Sequence, residues 1–233
     1  MAANKSPGPF LEYFFIPEAR IVRLANDRLV SLGLMPSSPG PVPIERYCDL
    51  RWGAPEDYID LPPGVLGRAK FSETGLAVIE ISRQLSEDTT KMGNIRTRST
   101  LAHEIGHAEL HAEKFAAKVR ANKLQGDFFK GPGASAGQVE IACREDQIFK
   151  FSGDEWWEIQ ANMFMAAILM PKHLLRQVFD VASARSRVNP FWPVEFGVAE
   201  AFKVSQRMAE IAVRSIREQI LKENQQLEVA EAG

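Results

Sequence analysis

The spacing of apolar residues predicts helices towards both ends of the chain. Between residues 17 and 32, apolar side chains recur every three or four positions and the run closes at Gly33, which is typical of a helix and its C-terminal cap. Residues 44–51 predict a second, shorter helix. The same spacing returns in residues 194–202 and 205–220, so the C-terminal part of the chain is also expected to be helical.

The pattern changes to short extended segments in the middle of the chain. Turn residues at 62–64 and 72–75 bound two segments, 65–71 and 76–81, and the second is rich in β-branched residues. This pattern predicts two or three antiparallel strands. Residues 139–143 predict one further strand.

Two more helices are predicted on either side of a loop. The first covers residues 98–110, with Ser99 or Thr100 as its N-cap. Residues 126–137 are rich in glycine and small residues and predict the loop. Residues 152–170 predict the second helix, because helical spacing resumes there.

The second of these helices carries start and stop signals. Ser152 and Glu155 match a capping box, in which the glutamate bonds back to the backbone of the serine. Pro171 is expected to end the helix. The whole pattern predicts an α+β fold that is mainly helical, with a small antiparallel sheet and a helical C-terminal part. The expected organisation is an N-terminal extension and helix in 1–40, a domain in 41–182, and a helical segment in 183–233 that packs on the same domain.

Composition favours an ordinary globular protein. The chain has 233 residues, 45% of them hydrophobic and 25% charged, with a net charge of −2. Its longest apolar run covers only residues 163–170, whereas a membrane span needs about 20 residues, so no membrane association is expected. The negative charge argues against direct nucleic-acid binding. Cys48 and Cys143 form no metal-binding or disulfide pattern, which favours a reducing, cytoplasmic location.

Three of the four histidines lie close together in the sequence. His103, Glu104 and His107 form the arrangement H-E-x-x-H. On a helix, residues four apart project from the same face, so both imidazoles can bind one metal ion. Glu104 points beside such an ion and is the candidate general base that takes a proton from a water molecule.

A catalytic zinc site needs a third protein ligand. His111 lies about 12 Å along the helix from His103, too far to bind the same ion, and is expected to support or pack around the site. Glu155 and Glu158 in the next helix offer carboxylates. Glu155 already has a role in the capping box, so Glu158 is the predicted ligand. Asn162, one turn later, is expected to bond the second nitrogen of a ligating histidine.

Two blocks of this sequence resemble one protein family. AHEIGHAELH followed by WWEIQANMFMAAILMP is similar to the ImmA/IrrE family of metallopeptidases, whose members typically carry LAHELGH and then E-x-x-A-N-x-F-A-A-x-L-L-M-P. The resemblance implies a zincin-like, gluzincin-like metallopeptidase domain over residues 41–182. It also implies that zinc is held by His103, His107 and Glu158, with Glu104 as the catalytic residue. Manganese also suits such nitrogen and oxygen ligands.

The same resemblance implies a narrow protein substrate, such as a helix-turn-helix transcriptional repressor cut by this endopeptidase. An alternative is a binding module that sequesters a repressor or antitoxin-like partner without cutting it; Glu104 argues against this, because a pure binder needs no carboxylate beside the ion. Residues 198–216 have a helix-turn-helix spacing, but a turn and N-cap between two packed helices explains them better. The group that stabilises the oxyanion is not assigned; the candidates are Arg96, Arg98, His173 and Tyr47.

Overall fold

The computed structural model describes residues 8–53, 56–124, 138–144 and 155–231, which form a mixed α+β fold of the predicted class. The helices in these ranges are α1 (Glu18–Ser31), α2 (Ile44–Trp52), α3 (Arg83–Ser86), α4 (Lys91–Leu124), α5 (Trp156–Leu169), α6 (Lys172–Val188), α7 (Val194–Phe202) and α8 (Gln206–Glu231). The strands are β1 (Glu56–Ile59), β2 (Val65–Ser72), β3 (Gly75–Ser82) and β4 (Val139–Arg144). The predicted loop at 126–137 lies outside the described residues.

The four strands form one sheet in the order β1-β3-β2-β4. The strand β2 runs antiparallel to β3 and β4, as predicted. The strand β1 runs parallel to β3, with Glu56 opposite Ile79, so the sheet is mixed and the prediction of a wholly antiparallel sheet is wrong in this pairing. The turn at residues 62–64 does reverse the chain, but β3 takes the place between β1 and β2. A turn signal predicts reversal and carries no information about which neighbour a strand pairs with.

One face of the sheet is covered by α4. Buried and partly exposed residues alternate along β2, and the buried set is Val65, Gly67, Ala69 and Phe71. Alternation of this kind places every second side chain on the same face. The helix α4 lies against β2 and β3 and buries Leu101 and Ile105 completely. The sheet therefore supports the helix that carries the H-E-x-x-H sequence.

The helix α4 begins earlier than predicted, at Lys91. The N–H group of Gly93 donates to Oγ1 of Thr90 at 3.0 Å, so Thr90 is the side chain that caps the first turn. Ser99 and Thr100, the predicted caps, lie inside the helix and are buried. The prediction of a start near Arg98 is therefore wrong, because hydroxyl residues cap a helix only where the chain turns and are otherwise tolerated inside it.

The helix α5 begins at Trp156. The carbonyl oxygen of Glu155 accepts hydrogen bonds from the N–H groups of Glu158 and Ile159 at 3.0 and 3.2 Å, so Glu155 precedes the first turn. A capping box would place this glutamate three residues inside the helix, so the prediction is wrong for Glu155. Ser152 lies outside the described residues. The helix ends at Leu169, before Pro171, as predicted.

Contacts divide the chain into two compact units. One comprises Met1–Met35 and Pro43–Ile168, and the other comprises Pro36–Val42 and Leu169–Gly233. In the second unit, α7 packs on α6 and on α8. Ser205 Oγ accepts a hydrogen bond from the N–H of Met208 at 3.1 Å, so a capped turn joins α7 and α8, as predicted. None of the helices in the described ranges has the length and apolar character that crossing a membrane requires.

A buried carboxylate joins three helices of the first unit. The side chain of Glu109 in α4 is 1% exposed and binds Arg28 of α1 at 2.9 Å and Arg51 of α2 at 2.8 Å. The hydroxyl of Tyr47 in α2 donates to the same carboxylate at 2.8 Å. Burial and the charge of Glu109 raise the pKa of Tyr47, which keeps this hydroxyl protonated as a donor. The cluster attaches α1 and α2 to α4.

Replacing Glu109 with glutamine is expected to lower the free energy of unfolding by about 2 kcal/mol, because two guanidinium groups lose their shared carboxylate and remain partly buried. The loss stays moderate because both arginines are about 35% exposed and water screens them. Urea unfolding at neutral pH measures the change. Glu113→Gln, an exposed residue on the same helix, is the matched control and should change stability by less than about 0.5 kcal/mol. Equal effects of the two substitutions would contradict the role of the cluster.

Candidate metal centre

Two helices bring the predicted ligands together. His103 and His107 lie one turn apart on α4, and Glu158 lies in the first turn of α5. Glu158 Oε2 is 3.1 Å from Nε2 of His103 and 3.5 Å from Nε2 of His107. The two Nε2 atoms are 3.1 Å apart. Both imidazoles are fully buried and Glu158 is 2% exposed, so the three ligand atoms form a closed triangle inside the protein.

The distances in this triangle are compatible with three ligands of one metal ion. Zinc bonds of about 2.1 Å in tetrahedral geometry separate neighbouring ligand atoms by about 3.4 Å, close to the three distances observed. His103 donates its Nδ1 hydrogen to Oδ1 of Asn162 at 2.9 Å, so its Nε2 carries a lone pair that faces the carboxylate. Lone pairs that converge in this way repel one another unless a cation lies among them. The group His103, His107 and Glu158 can therefore hold a metal ion.

The third histidine of the cluster lies outside the group that could hold a metal ion. His111 is fully buried, and its Nδ1 lies 3.0 Å from Nδ1 of His107. Its Nε2 lies 3.1 Å from Oε1 of Gln160 in α5. Gln160 was missed by the sequence reasoning. The sequence feature that indicates a role for Gln160 is its amide side chain within the otherwise apolar stretch of α5.

Glu104 occupies a separate position on α4, facing the sheet. It is fully buried, and among the described residues neither carboxylate oxygen has a partner with hydrogen-bond geometry. Backbone groups of Ala69 and Cys143 nevertheless lie near enough to favour its charged form. A Cβ atom on Gly67 of β2 would lie 3.3 Å from Oε1 of Glu104 and 2.7 Å from Cγ2 of Thr100. The glycine thus leaves room for the carboxylate between α4 and the sheet.

Burial controls the protonation of these groups. It lowers the pKa of His107, and burial together with His107 lowers the pKa of His111 to about 3, so both imidazoles are neutral near pH 7. Burial raises the pKa of Glu158, but the positive charge that His107 acquires when it is protonated at lower pH outweighs burial and holds that pKa well below its usual range. Neutral imidazoles with an ionised carboxylate are the forms that bind metals.

The pKa of Glu104 moves in the opposite direction. Burial raises it well above its usual value, and the nearby charge of Glu158 raises it further. A cation held by Glu158 would offset both effects, because it neutralises the carboxylate and favours the charged form of Glu104. The basicity of Glu104 therefore depends on the state of the neighbouring metal centre.

No protein-family model matches this chain, and no curated protein matches it. The resemblance of its two motifs to the ImmA/IrrE family therefore stays a prediction.

Among the candidates for an oxyanion partner, Tyr47 donates its hydroxyl hydrogen to Glu109, and His173 lies in the other compact unit. The role is unassigned.

A glycine allows the two ligand-bearing helices to approach. A Cβ atom on Gly106 of α4 would lie 2.8 Å from the carbonyl oxygen of Ala161 in α5 and 3.0 Å from its Cα atom. Contacts this short with backbone atoms are not relieved by moving a side chain. Gly106 therefore lies at the contact between α4 and α5.

Gly106→Ala is expected to destabilise the protein by about 1–3 kcal/mol, because α4 and α5 must move apart. The sign of the change in the free energy of unfolding is informative, since alanine in a helix is otherwise favoured over glycine by about 1 kcal/mol. Urea unfolding and zinc competition with a chromophoric chelator provide the two measurements, and zinc affinity should fall about tenfold or more. Gly40→Ala is the control, because its Cβ would meet no atom closer than 3.8 Å. A stabilised Gly106→Ala variant with normal zinc affinity would be inconsistent with this packing.

Proposed function

We propose that this protein is a zinc-dependent endopeptidase that hydrolyses a peptide bond in a narrow protein substrate. The observation that carries the proposal is the position of Glu104. A buried carboxylate with no hydrogen-bond partner of good geometry among the described residues follows directly on His103, the first of three converging ligands. A structural metal site has no use for such a group, and burying it is costly. A hydrolytic site needs it as a base.

The residues present fit a catalytic zinc ion. His103, His107 and Glu158 would hold it, and three protein ligands leave a fourth position for water or substrate. When bound, zinc lowers the pKa of a water molecule to about 7 and polarises a carbonyl group. Manganese accepts the same ligand types, and metal availability decides between them.

Glu104 would move the proton during the reaction. Its carboxylate takes one proton from the water molecule whose oxygen attacks the peptide carbonyl carbon. The same proton then passes to the amide nitrogen as the C–N bond breaks, so the products are a carboxylic acid and an amine, which ionise to a carboxylate and an ammonium group. The absence of a side chain at Gly67 leaves room for the Glu104 carboxylate between α4 and the sheet.

The substrate we propose is a helix-turn-helix transcriptional repressor, and the proposed location is the cytoplasm. The substrate class rests on the resemblance of the two motif blocks to the ImmA/IrrE family. The location is supported by Cys48 and Cys143, which are buried and form no disulfide with each other.

Metal content tests the ligand set. Untagged protein purified without chelator is expected to contain close to one zinc ion per chain by mass spectrometry, and His103→Ala and Glu158→Ala should each lose it because two ligands hold zinc poorly. Glu155→Ala is the matched control, since this glutamate precedes α5 and lies outside the ligand group, and it should retain the metal. Zinc retained in Glu158→Ala and lost in Glu155→Ala would mean that Glu155 is the third ligand.

Glu104→Gln separates cleavage from binding. The variant is expected to keep its zinc and to lose cleavage by about 10²–10⁴-fold, because the amide cannot accept the proton from water. Cleavage is followed by mass spectrometry on a peptide library prepared from bacterial protein, with unfolded casein alongside. Relief of repression in a reporter strain is measured for the same variant. If Glu104→Gln relieves repression as well as the wild type does, the protein acts as a binding module instead. Rapid degradation of casein by the wild type would contradict a narrow substrate.

A further inference from the structure

Each of the two ligand histidines has a hydrogen-bond partner at Nδ1, but the two partners differ. His103 donates to the amide oxygen of Asn162, a fixed acceptor. His107 faces another imidazole, that of His111, at 3.0 Å between the two Nδ1 atoms. An imidazole accepts through Nδ1 only in the tautomer that carries its hydrogen on Nε2. Something must therefore decide the tautomer of His111.

We propose that His111 is a positioning residue that holds His107 with its hydrogen on Nδ1, and that Gln160 sets the tautomer of His111. The inference rests on the metal centre of the proposed function. The Nε2–H of His111 donates to Oε1 of Gln160 at 3.1 Å, which leaves Nδ1 of His111 as an acceptor. His107 then donates through Nδ1 and keeps the lone pair on Nε2 for the ion.

The hydrogen-bonded series from His107 through His111 to Gln160 is called the relay here. Its burial makes each of its hydrogen bonds important. The three histidines are fully buried and Gln160 is 3% exposed, so no bulk water replaces a hydrogen bond that is lost. Both ring nitrogens of His111 have partners, whereas Nε2 of Gln160 has none among the described residues. Oε1 of Gln160 is an amide oxygen, which only accepts, so its position 3.1 Å from Nε2 of His111 is the arrangement needed to receive the His111 hydrogen.

Aromatic residues enclose His111. Its ring centroid lies 5.4 Å from that of Phe10, 5.8 Å from Phe14 and 6.3 Å from Trp156. Phe10 and Phe14 belong to the segment before α1, which is attached to α4 through hydrogen bonds from Lys114 to Glu12 and from Lys118 to the carbonyl oxygen of Pro9, both at 2.6 Å. Excluding water on this side strengthens the hydrogen bonds of the relay.

Zinc affinity in matched variants tests the role. His111→Leu removes the acceptor and should weaken zinc binding by about 10–100-fold in a chelator competition. His111→Asn places an amide oxygen near the position of Nδ1 and should recover most of the affinity, to within about threefold of wild type. Phe115→Leu is the control, because Phe115 is fully buried beside His111 and Phe10 but lies outside the relay. It should lose stability in urea while its zinc affinity stays near that of wild type.

Two-bond proton–nitrogen NMR spectra of zinc-free and zinc-loaded protein provide a readout independent of cleavage. The wild type should show His111 with its hydrogen on Nε2 and His107 with its hydrogen on Nδ1 in both forms. In zinc-free His111→Leu and Gln160→Leu, His107 should become a mixture of tautomers.

The opposite tautomer of His111, or wild-type zinc affinity in His111→Leu, would overturn the role proposed for His111. Wild-type protein that binds zinc and shows the expected tautomers but cleaves nothing would support the relay and refute the endopeptidase. Wild-type protein that binds no zinc would refute the metal centre and the relay together.

Discussion

The close approach of α4 and α5 at Gly106 is the contact on which the site depends. Because this residue has no side chain, the backbone of Ala161 can lie against α4. Imidazoles on α4 then donate single hydrogen bonds to amide oxygens of α5, from His103 to Asn162 and from His111 to Gln160. Glu158 meets two imidazoles at the same contact. A larger residue at position 106 would separate all three pairs at once.

The second constraint is the cost of burying so many polar groups. Three imidazoles, two carboxylates and two amides lie within the interior, and such groups are costly unless they are paired. Hydrogen bonds to α5 satisfy the outer ring nitrogens of His103 and His111, and His111 is the partner of Nδ1 of His107 within α4. The ligand atoms of His103, His107 and Glu158 face one another, and a cation bound among them would remove their mutual repulsion. Glu104 stands apart as the one acidic side chain of the cluster for which the described residues supply no partner of good geometry.

The helix α4 organises the first unit because its faces have different neighbours. The face with Leu101, Ile105 and Glu104 meets the sheet, and the face with His103 and His107 meets α5. A third face carries Glu109, which binds α1 and α2. The proposed base and the metal ligands thus lie on one rigid element, supported from separate sides. Rigid support of this kind keeps a catalytic group and its metal in a constant relation.

The sequence by itself determined the features that depend on local periodicity. Helical spacing placed α1, α2, α5 and α7 close to their observed bounds, and alternation placed β2, β3 and β4. The four-residue spacing of His103 and His107 also determined that both imidazoles share one face, since the geometry of a helix sets that relation alone.

Only the tertiary structure decided the contacts between distant segments. These include the pairing of β1 with β3 and the hydrogen bond from His111 to Gln160. They also include the hydrogen bonds that Glu109 accepts from Arg28, Tyr47 and Arg51. The start of α4 at Lys91 also escaped prediction, because several hydroxyl residues there satisfy the same local rule for a cap. Periodicity describes which side of an element is buried. The partner of a buried polar group depends instead on how two elements pack, and this packing is determined by shape and hydrogen bonding across the whole core.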